Sequence, residues 1–275
     1  MREHTVARDD APDLHVVETG PRDARPVLFV HGYSQSHLSW EAQLDSDLAG
    51  EFRLVAMDLR GHGSSEKPPA GDAYNDARVW ADDVDAVCDT LGLDDVVIVG
   101  WSYGSLVTLD YLAHYGTDRV AGLNLVGIVC GIGTERTNDW LTPGYVDLFP
   151  DIVSTDVETS VAALERLIDL CIHTELAPAD RYRMLGWNVV VPPAARDGMR
   201  DRTVSYLDLL DSLSAQTLLS HGVHDAVVSV DAACEAERLL PNATCSTYPD
   251  SGHAPFWERP ERFNRELRAF VAGLG

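Results

Sequence analysis

The sequence predicts an α/β protein, a mostly parallel β-sheet with helices on both faces. Three observations predict it. Runs of β-branched and apolar residues such as RPVLFV, VVIVG and QTLLSHG read as strands buried on both faces. Amphipathic stretches follow them in a repeating strand-then-helix order. A chain of 275 residues, 45% of them hydrophobic, is long enough for one substantial core and too short for two ordinary enzyme domains.

In order, Leu14 to Gly20 reads as a strand that pairs with Thr5 to Arg8 as an antiparallel edge. RPVLFVHG gives a buried strand ending at Gly32, and a helix is expected over 40–48. RLVAMDLRGHG supplies the next strand and a glycine-marked exit loop. From Asn75 to Leu91 the spacing of Val79, Ala81, Val84, Val87, Cys88 and Leu91 predicts a helix whose aspartates face outward and which Gly92 stops. VVIVGWSYG reads as a strand and sharp turn, followed by a helix through Leu106, Leu109 and Leu112 and then the strand VAGLNLVGIV.

The alternation breaks at about Gly133. Up to Leu213 the chain offers helix-like stretches such as VAALERLIDLCIH, interrupted by Pro143, Pro150, Pro178, Pro192 and Pro193, with no strand and helix in sequence. The expected organisation is a core of residues 1–132 and 214–275 with a helical cap, or lid, at 133–213. The core resumes with QTLLSHG, a helix over 231–240, the strand ATCSTYP and a last amphipathic helix over 259–274.

Charge narrows the function classes. The formal net charge is -23, reached with the single lysine Lys67. Such a surface repels nucleic acid and anionic membranes, so neither is expected as a partner. No charge block reads as a disordered tail, and adaptation to high salt would account for the composition. Neither a signal-like N-terminus nor an apolar run of membrane-spanning length is present, so a cytoplasmic protein is expected. Cys88, Cys130, Cys171, Cys234 and Cys245 are odd in number and unpaired in spacing, which suggests neither a disulfide framework nor a thiolate metal site. Cys130 and Cys171 fall near or inside the insertion and are candidates for a pocket lining.

The chemistry is carried by Gly100-Trp101-Ser102-Tyr103-Gly104, a G-x-S-x-G between strand and helix. A serine hydroxyl needs a base, and the base needs an orienting acid. Asp225, in HGVHDAVV at the carboxyl end of a strand, and His253, in DSGHAPFWERP, supply them in the chain order Ser, Asp, His. Asp231 competes with Asp225 but sits where a helix-capping aspartate is expected. Oxyanion donors are expected from the backbone N–H groups of Tyr103 and Tyr33. Asp250 and Asp58 read as turn and loop residues, and His31 and His62 as loop-fixing hydrogen-bonders. His221 and His224 lack metal-site spacing, and no metal or cofactor is expected.

These segments together resemble the α/β-hydrolase superfamily over nearly the full length: HGY at the oxyanion loop, DLRGHGSSEKP after a strand, GWSYG at the nucleophile, HGVHDAVV at the acid and SGHAPFWERPERF at the histidine. The resemblance implies an eight-stranded sheet, a cap inserted after the sixth strand and a Ser–His–Asp triad. Haloalkane dehalogenases and epoxide hydrolases of the superfamily use an aspartate nucleophile where this chain has Ser102. Proline iminopeptidases usually carry GGSWG, and this chain reads GWSYG.

The expected function is hydrolysis of a small carboxylic ester through an acyl-enzyme. Lactone or thioester hydrolysis, C–C bond hydrolysis, perhydrolysis and acyl transfer use the same triad, and a non-catalytic ligand receptor is the alternative from another class. No proline directly follows His31-Gly32, which removes one cue for perhydrolysis. In the insertion, Trp140, Tyr145, Phe149, Met184 and Trp187 are candidates to line an apolar substrate pocket, or to pack the lid onto the core.

Overall fold

The computed structural model describes every residue except residue 70. Among the described residues, ten strands lie at β1 Arg2–Val6, β2 Leu14–Thr19, β3 Pro26–Val30, β4 Arg53–Met57, β5 Val96–Trp101, β6 Val120–Val126, β7 Gly131–Ile132, β8 Val204–Ser205, β9 Gln216–Gly222 and β10 Ala243–Tyr248. Eight of them form one sheet in the order β1-β2-β4-β3-β5-β6-β9-β10. From β4 to β10 all neighbours are parallel, while β1 and β2 are antiparallel to each other and β2 to β4. Every residue of β3, β4 and β5 is buried, as parallel strands covered on both faces require. The edge strand begins at Arg2 rather than at Thr5.

Helix α1, Glu41–Leu44, is where the sequence predicts one helix over 40–48. The structure breaks that stretch into two tight turns flanking α1, because Ser36 and Ser46 each cap the backbone two residues on and restart the turn. Helix α2, Ala77–Leu91, is capped by Asp76 and stopped by Gly92 in a left-handed conformation, φ 59°. Not all its aspartates face outward. Asp83 is fully buried because Arg60 and Arg8 reach its carboxylate at 2.7 and 2.6 Å. Helix α3, Tyr103–Tyr115, starts at the residue after Ser102 and is buried along most of its length.

Between β6 and β9 run α4 Glu135–Asn138, α5 Pro143–Val146, α6 Phe149–Ile152, α7 Val157–Cys171, α8 Pro178–Val190, α9 Pro193–Arg200 and α10 Leu207–Ser212. The sequence predicts no strand here, yet β7 and β8 pair antiparallel through Gly131↔Ser205 and Ile132↔Val204. Two-residue strands are too short to show a period. Three buried contacts fix the inserted segment. Arg196 donates to the carbonyls of Ile152, Asn188 and Val191 and to Ser160 Oγ, joining α6 to α9. Arg202 donates to Asp110 at 2.6 Å and to the Tyr103 hydroxyl at 2.8 Å, and Tyr206 also donates to Asp110. His253 N–H donates to the carbonyl of Cys171 at the end of α7. The chain closes with α11 Asp231–Leu239, α12 Pro255–Glu258 and α13 Pro260–Gly273; α13 stands where the final helix over 259–274 is expected, and α12 is a single short turn ahead of it.

Candidate active site

Ser102 sits between β5 and α3 with φ 56° and ψ -118°, a conformation that costs a non-glycine residue roughly 1–3 kcal/mol and lifts its side chain out of the turn. The turn is possible because Gly104 has no side chain: a Cβ there would stand 2.2 Å from the Val30 carbonyl oxygen. Ser102 is 8% exposed, so its hydroxyl group is nearly withdrawn from bulk water.

Asp225 and His253 come from the loops after β9 and β10. His253 Nδ1 lies 2.6 Å from Asp225 Oδ2. The other carboxylate oxygen accepts the N–H groups of Val227 and Val228, both at 2.8 Å. Burial alone would raise the Asp225 pKa, but the charge of His253 and the hydrogen bonds from His221 and His253 hold it well below the ordinary carboxylate value. With Nδ1 taken, His253 Nε2 is buried and unpartnered. His253 and Ser102 line the same cavity of about 230 Å³. Gly127, φ 51°, backs the imidazole closely, since a Cβ there would stand 2.8 Å from the ring. Asp231 instead opens α11 and accepts from Ser229 Oγ at 3.1 Å.

The loop after β3 brings Gly32 and Tyr33 to the same cavity. Tyr103 is the first residue of α3, so its N–H is one of the groups that a helix leaves without an internal partner. Tyr33 N–H has no backbone acceptor among the described residues. Their hydroxyls are used elsewhere: Tyr33 donates to the Arg196 carbonyl and Tyr103 to that of Met199. His31 donates from Nδ1 to the Gly32 carbonyl and accepts Leu59 N–H at Nε2, which fixes its tautomer and the course of the loop. Burial lowers its pKa to about 4, so it stays neutral.

A second cavity, of about 430 Å³, also reaches Ser102 and Tyr145 and is walled by Val129, Ile132, Leu141 and Phe149. A third, of about 300 Å³, adjoins the first at Trp101 and Cys171 and carries Met184 and Trp187, whose indole N–H donates to Gln35. Tyr145, Phe149 and Trp187 therefore face cavities. Trp140 does not line these three: it packs against the core and its carbonyl accepts Ser229 N–H. Cys171 lines two of them, and burial pushes its thiol pKa well up. Gln35, Leu167, Val227 and Arg200 also reach these walls, and nothing in their local spacing marks them in the sequence.

Asp58 opens the loop after β4, as expected, and is a hub there. It accepts from His15 and His37 Nδ1 and from the N–H groups of His37 and Ser64. His15, His37 and Asp58 are near enough to share an ion, but none of them lines the cavities at Ser102. His221 turns to Asp225 and the Val228 carbonyl, and His224 stacks on His173 with ring centroids 4.0 Å apart.

A family model described as alpha/beta hydrolase fold matches residues 25–260. The chain belongs to the α/β-hydrolase family. Among solved structures of this family, it is similar to the esterase RhEst1 from Rhodococcus sp. ECU1013, 34% identical with a TM-score of 0.92 over 100% of both chains. It is also similar to a putative aryl esterase from Burkholderia cenocepacia, 33% identical with a TM-score of 0.91 over 98% of both chains. A bifunctional esterase/perhydrolase from Acinetobacter calcoaceticus is 28% identical, covering 97% of this chain and 98% of its own. This α/β-hydrolase is thus an enzyme-family member whose relatives include esterases. Among its described residues, no helix is long and apolar enough to cross a membrane.

Proposed function

We propose that the protein is a serine hydrolase of small carboxylic esters. One observation carries the reading: Ser102 occupies a strained turn on the cavity it shares with His253, whose Nδ1 is held by Asp225 and whose Nε2 is free.

In this reaction Ser102 Oγ attacks the ester carbonyl while His253 Nε2 takes its proton. The backbone N–H groups of Tyr33 and Tyr103 stabilise the oxyanion. Asp225 stabilises the imidazolium, which returns its proton to the leaving alcohol, and water then opens the acyl-enzyme by the same path. Residues 133–213 act as the cap that walls off the acyl group, with Tyr145, Phe149 and Trp187 as its aromatic surface. The similarity to two esterases supports the ester as substrate class.

The test is turnover of a p-nitrophenyl ester series from acetate to long acyl chains, with Ser102→Ala alongside. Turnover that falls at least about a thousandfold in the variant is expected. Turnover retained by Ser102→Ala, or absent with every ester, overturns the reading. The similarity to an esterase/perhydrolase makes hydrogen peroxide the second acceptor to try in the same assay.

A further inference from the structure

Three arginines, Arg196, Arg200 and Arg202, follow one another along α9 and just beyond it, and two are fully committed within the fold. Arg196 is satisfied by four oxygens of the insertion, and Arg202 by Asp110 and Tyr103. Arg200 is left over. Its guanidinium lies over the Phe149 ring, 3.7 Å from the centroid, and it lines the 430 Å³ cavity together with Ser102. Its Nε is buried without a hydrogen-bond partner. Among the described residues it forms no ion pair, although Asp197 and Asp201 flank it in sequence and the chain carries 44 acidic residues against 21 basic ones.

A guanidinium carries its charge at any working pH and presents a planar fork of donors that matches a carboxylate. Holding it partly desolvated and unpaired is unfavourable, and an anion in the cavity would offset that. The remaining wall is apolar at Val129, Ile132 and Leu141, as a short methylene chain between two polar ends would require. Tyr145 lines both cavities that meet at Ser102 and brings a phenol that could donate there as well.

We propose that Arg200 is the carboxylate-binding residue of this site, and that the preferred substrate is an ester whose acyl part carries a second, ionised carboxylate. The proposal rests on the ester-hydrolase reading above and names its substrate class. Water and the half-ester are consumed, the alcohol, the dicarboxylate and one proton are released, and the carboxylate held by Arg200 is not itself altered.

The experiment compares p-nitrophenyl hemiglutarate with its neutral methyl-capped counterpart, each corrected for spontaneous hydrolysis, in wild type, Arg200→Lys and Arg200→Met. The quantity read is the ratio of kcat/KM for the anionic over the neutral ester, in which a shared loss through folding cancels. The wild-type ratio should exceed about tenfold, as one charge-assisted pair in a partly dry site provides, and should fall to about one or below in Arg200→Met. Arg200→Lys should lie between them, because it keeps the charge and loses the fork. A wild-type preference for the neutral ester, or a ratio unchanged in Arg200→Met, overturns the proposal and leaves the ester reading standing. If neither ester turns over, calorimetric binding of glutarate decides. Binding that requires Arg200 upholds the carboxylate site while the ester reading falls, and equal binding in both proteins overturns the site as well.

Discussion

His221 Nε2 lies 3.1 Å from Asp225 Oδ2, the same oxygen that holds His253 Nδ1 at 2.6 Å. Asp225 is therefore braced from two sides, by the strand that carries His221 and by the loop that carries His253. Burial would lower the His221 pKa, but its hydrogen bond to Asp225 and the charge of that carboxylate outweigh it, and the net shift is upward.

His221→Leu should thus cost stability of about 1–3 kcal/mol, since it strips one donor from a buried carboxylate. A group with a raised folded pKa contributes most below its unfolded value, ordinarily 6.5, and loses that contribution as pH rises through the folded value. The stability gap between wild type and variant, measured by denaturant unfolding, should narrow from pH 6 to pH 8. A gap that widens over that interval would show that His221 does not act through Asp225. Turnover in the variant should fall about tenfold, because His253 then loses part of the support for its orienting acid.

Acid sensitivity should arise at another pair. His31 and His62 are fully buried with ring centroids 5.1 Å apart, and burial lowers their pKa values to about 4 and about 3. The unfolded chain takes up both protons below about pH 6.5, and the folded protein refuses them. Asp110 works in the opposite direction: burial, only partly offset by Arg202, raises it to about 6, so the folded state binds its proton first. Below about pH 6 the groups raised in the folded protein, His15 and His221, are protonated in folded and unfolded chains alike, so two groups against one leave the unfolded state about one proton richer down to about pH 4.5, a loss of about 1.4 kcal/mol per pH unit. Urea unfolding at pH 6.0 and pH 4.5 should therefore differ by about 2 kcal/mol, with the acidic sample weaker. Equal stability at the two pH values would sink this account.

Much of the fold is legible in the sequence because β3, β4 and β5 are buried on both faces and so read as uninterrupted apolar runs. The placement of Ser102, Asp225 and His253 is legible too, since each stands at a strand end where glycines mark the turn. What is not legible depends on partners distant in sequence. Asp83 looks like any other aspartate on α2 until Arg60 and Arg8 are brought to it. Trp140 and Trp187 are alike as aromatic residues of the insertion, and only the packing of α8 over Gln35 turns one of them toward a cavity. Arg200 is invisible for the same reason: only the packing of α9 brings it over Phe149 and into one cavity wall with Ser102.

The ties between α3 and the insertion give a third prediction. Arg202 is 1% exposed on its side chain, and Asp110 is its only carboxylate among the described residues. Asp110→Ala leaves a buried cation with the Tyr103 hydroxyl as its main partner, and losing one member of a buried pair costs roughly 3–5 kcal/mol. Replacing both, as Asp110→Ala with Arg202→Met, should recover part of that loss, because no orphaned charge remains. Unfolding of the single and double variants checks this directly. A double variant less stable than Asp110→Ala alone would mean that the pair is not the cause.

Salt should stabilise the protein, although ion pairs are numerous on its surface. Screening weakens exposed pairs such as Arg78 with Asp82 and Arg181 with Asp169, but solvent already screens these and they contribute little at the start. The pairs that matter most are screened least: Arg60 with Asp83, Arg53 with Glu18 and Arg202 with Asp110 are nearly withdrawn from solvent. Against these small losses stands a formal charge of -23 on one compact chain, whose mutual repulsion opposes folding and is relieved as the Debye length falls from about 10 Å at 0.1 M to about 3 Å at 1 M. Sodium chloride is the proper salt for the test, because sulfate would strengthen apolar burial whatever the charge. The Tm should rise between 0.05 and 1 M, steeply at first and then levelling once the Debye length is shorter than the spacing of surface carboxylates, at about those concentrations. A Tm that is flat or falls over the same range would mean that the ion pairs outweigh the excess charge.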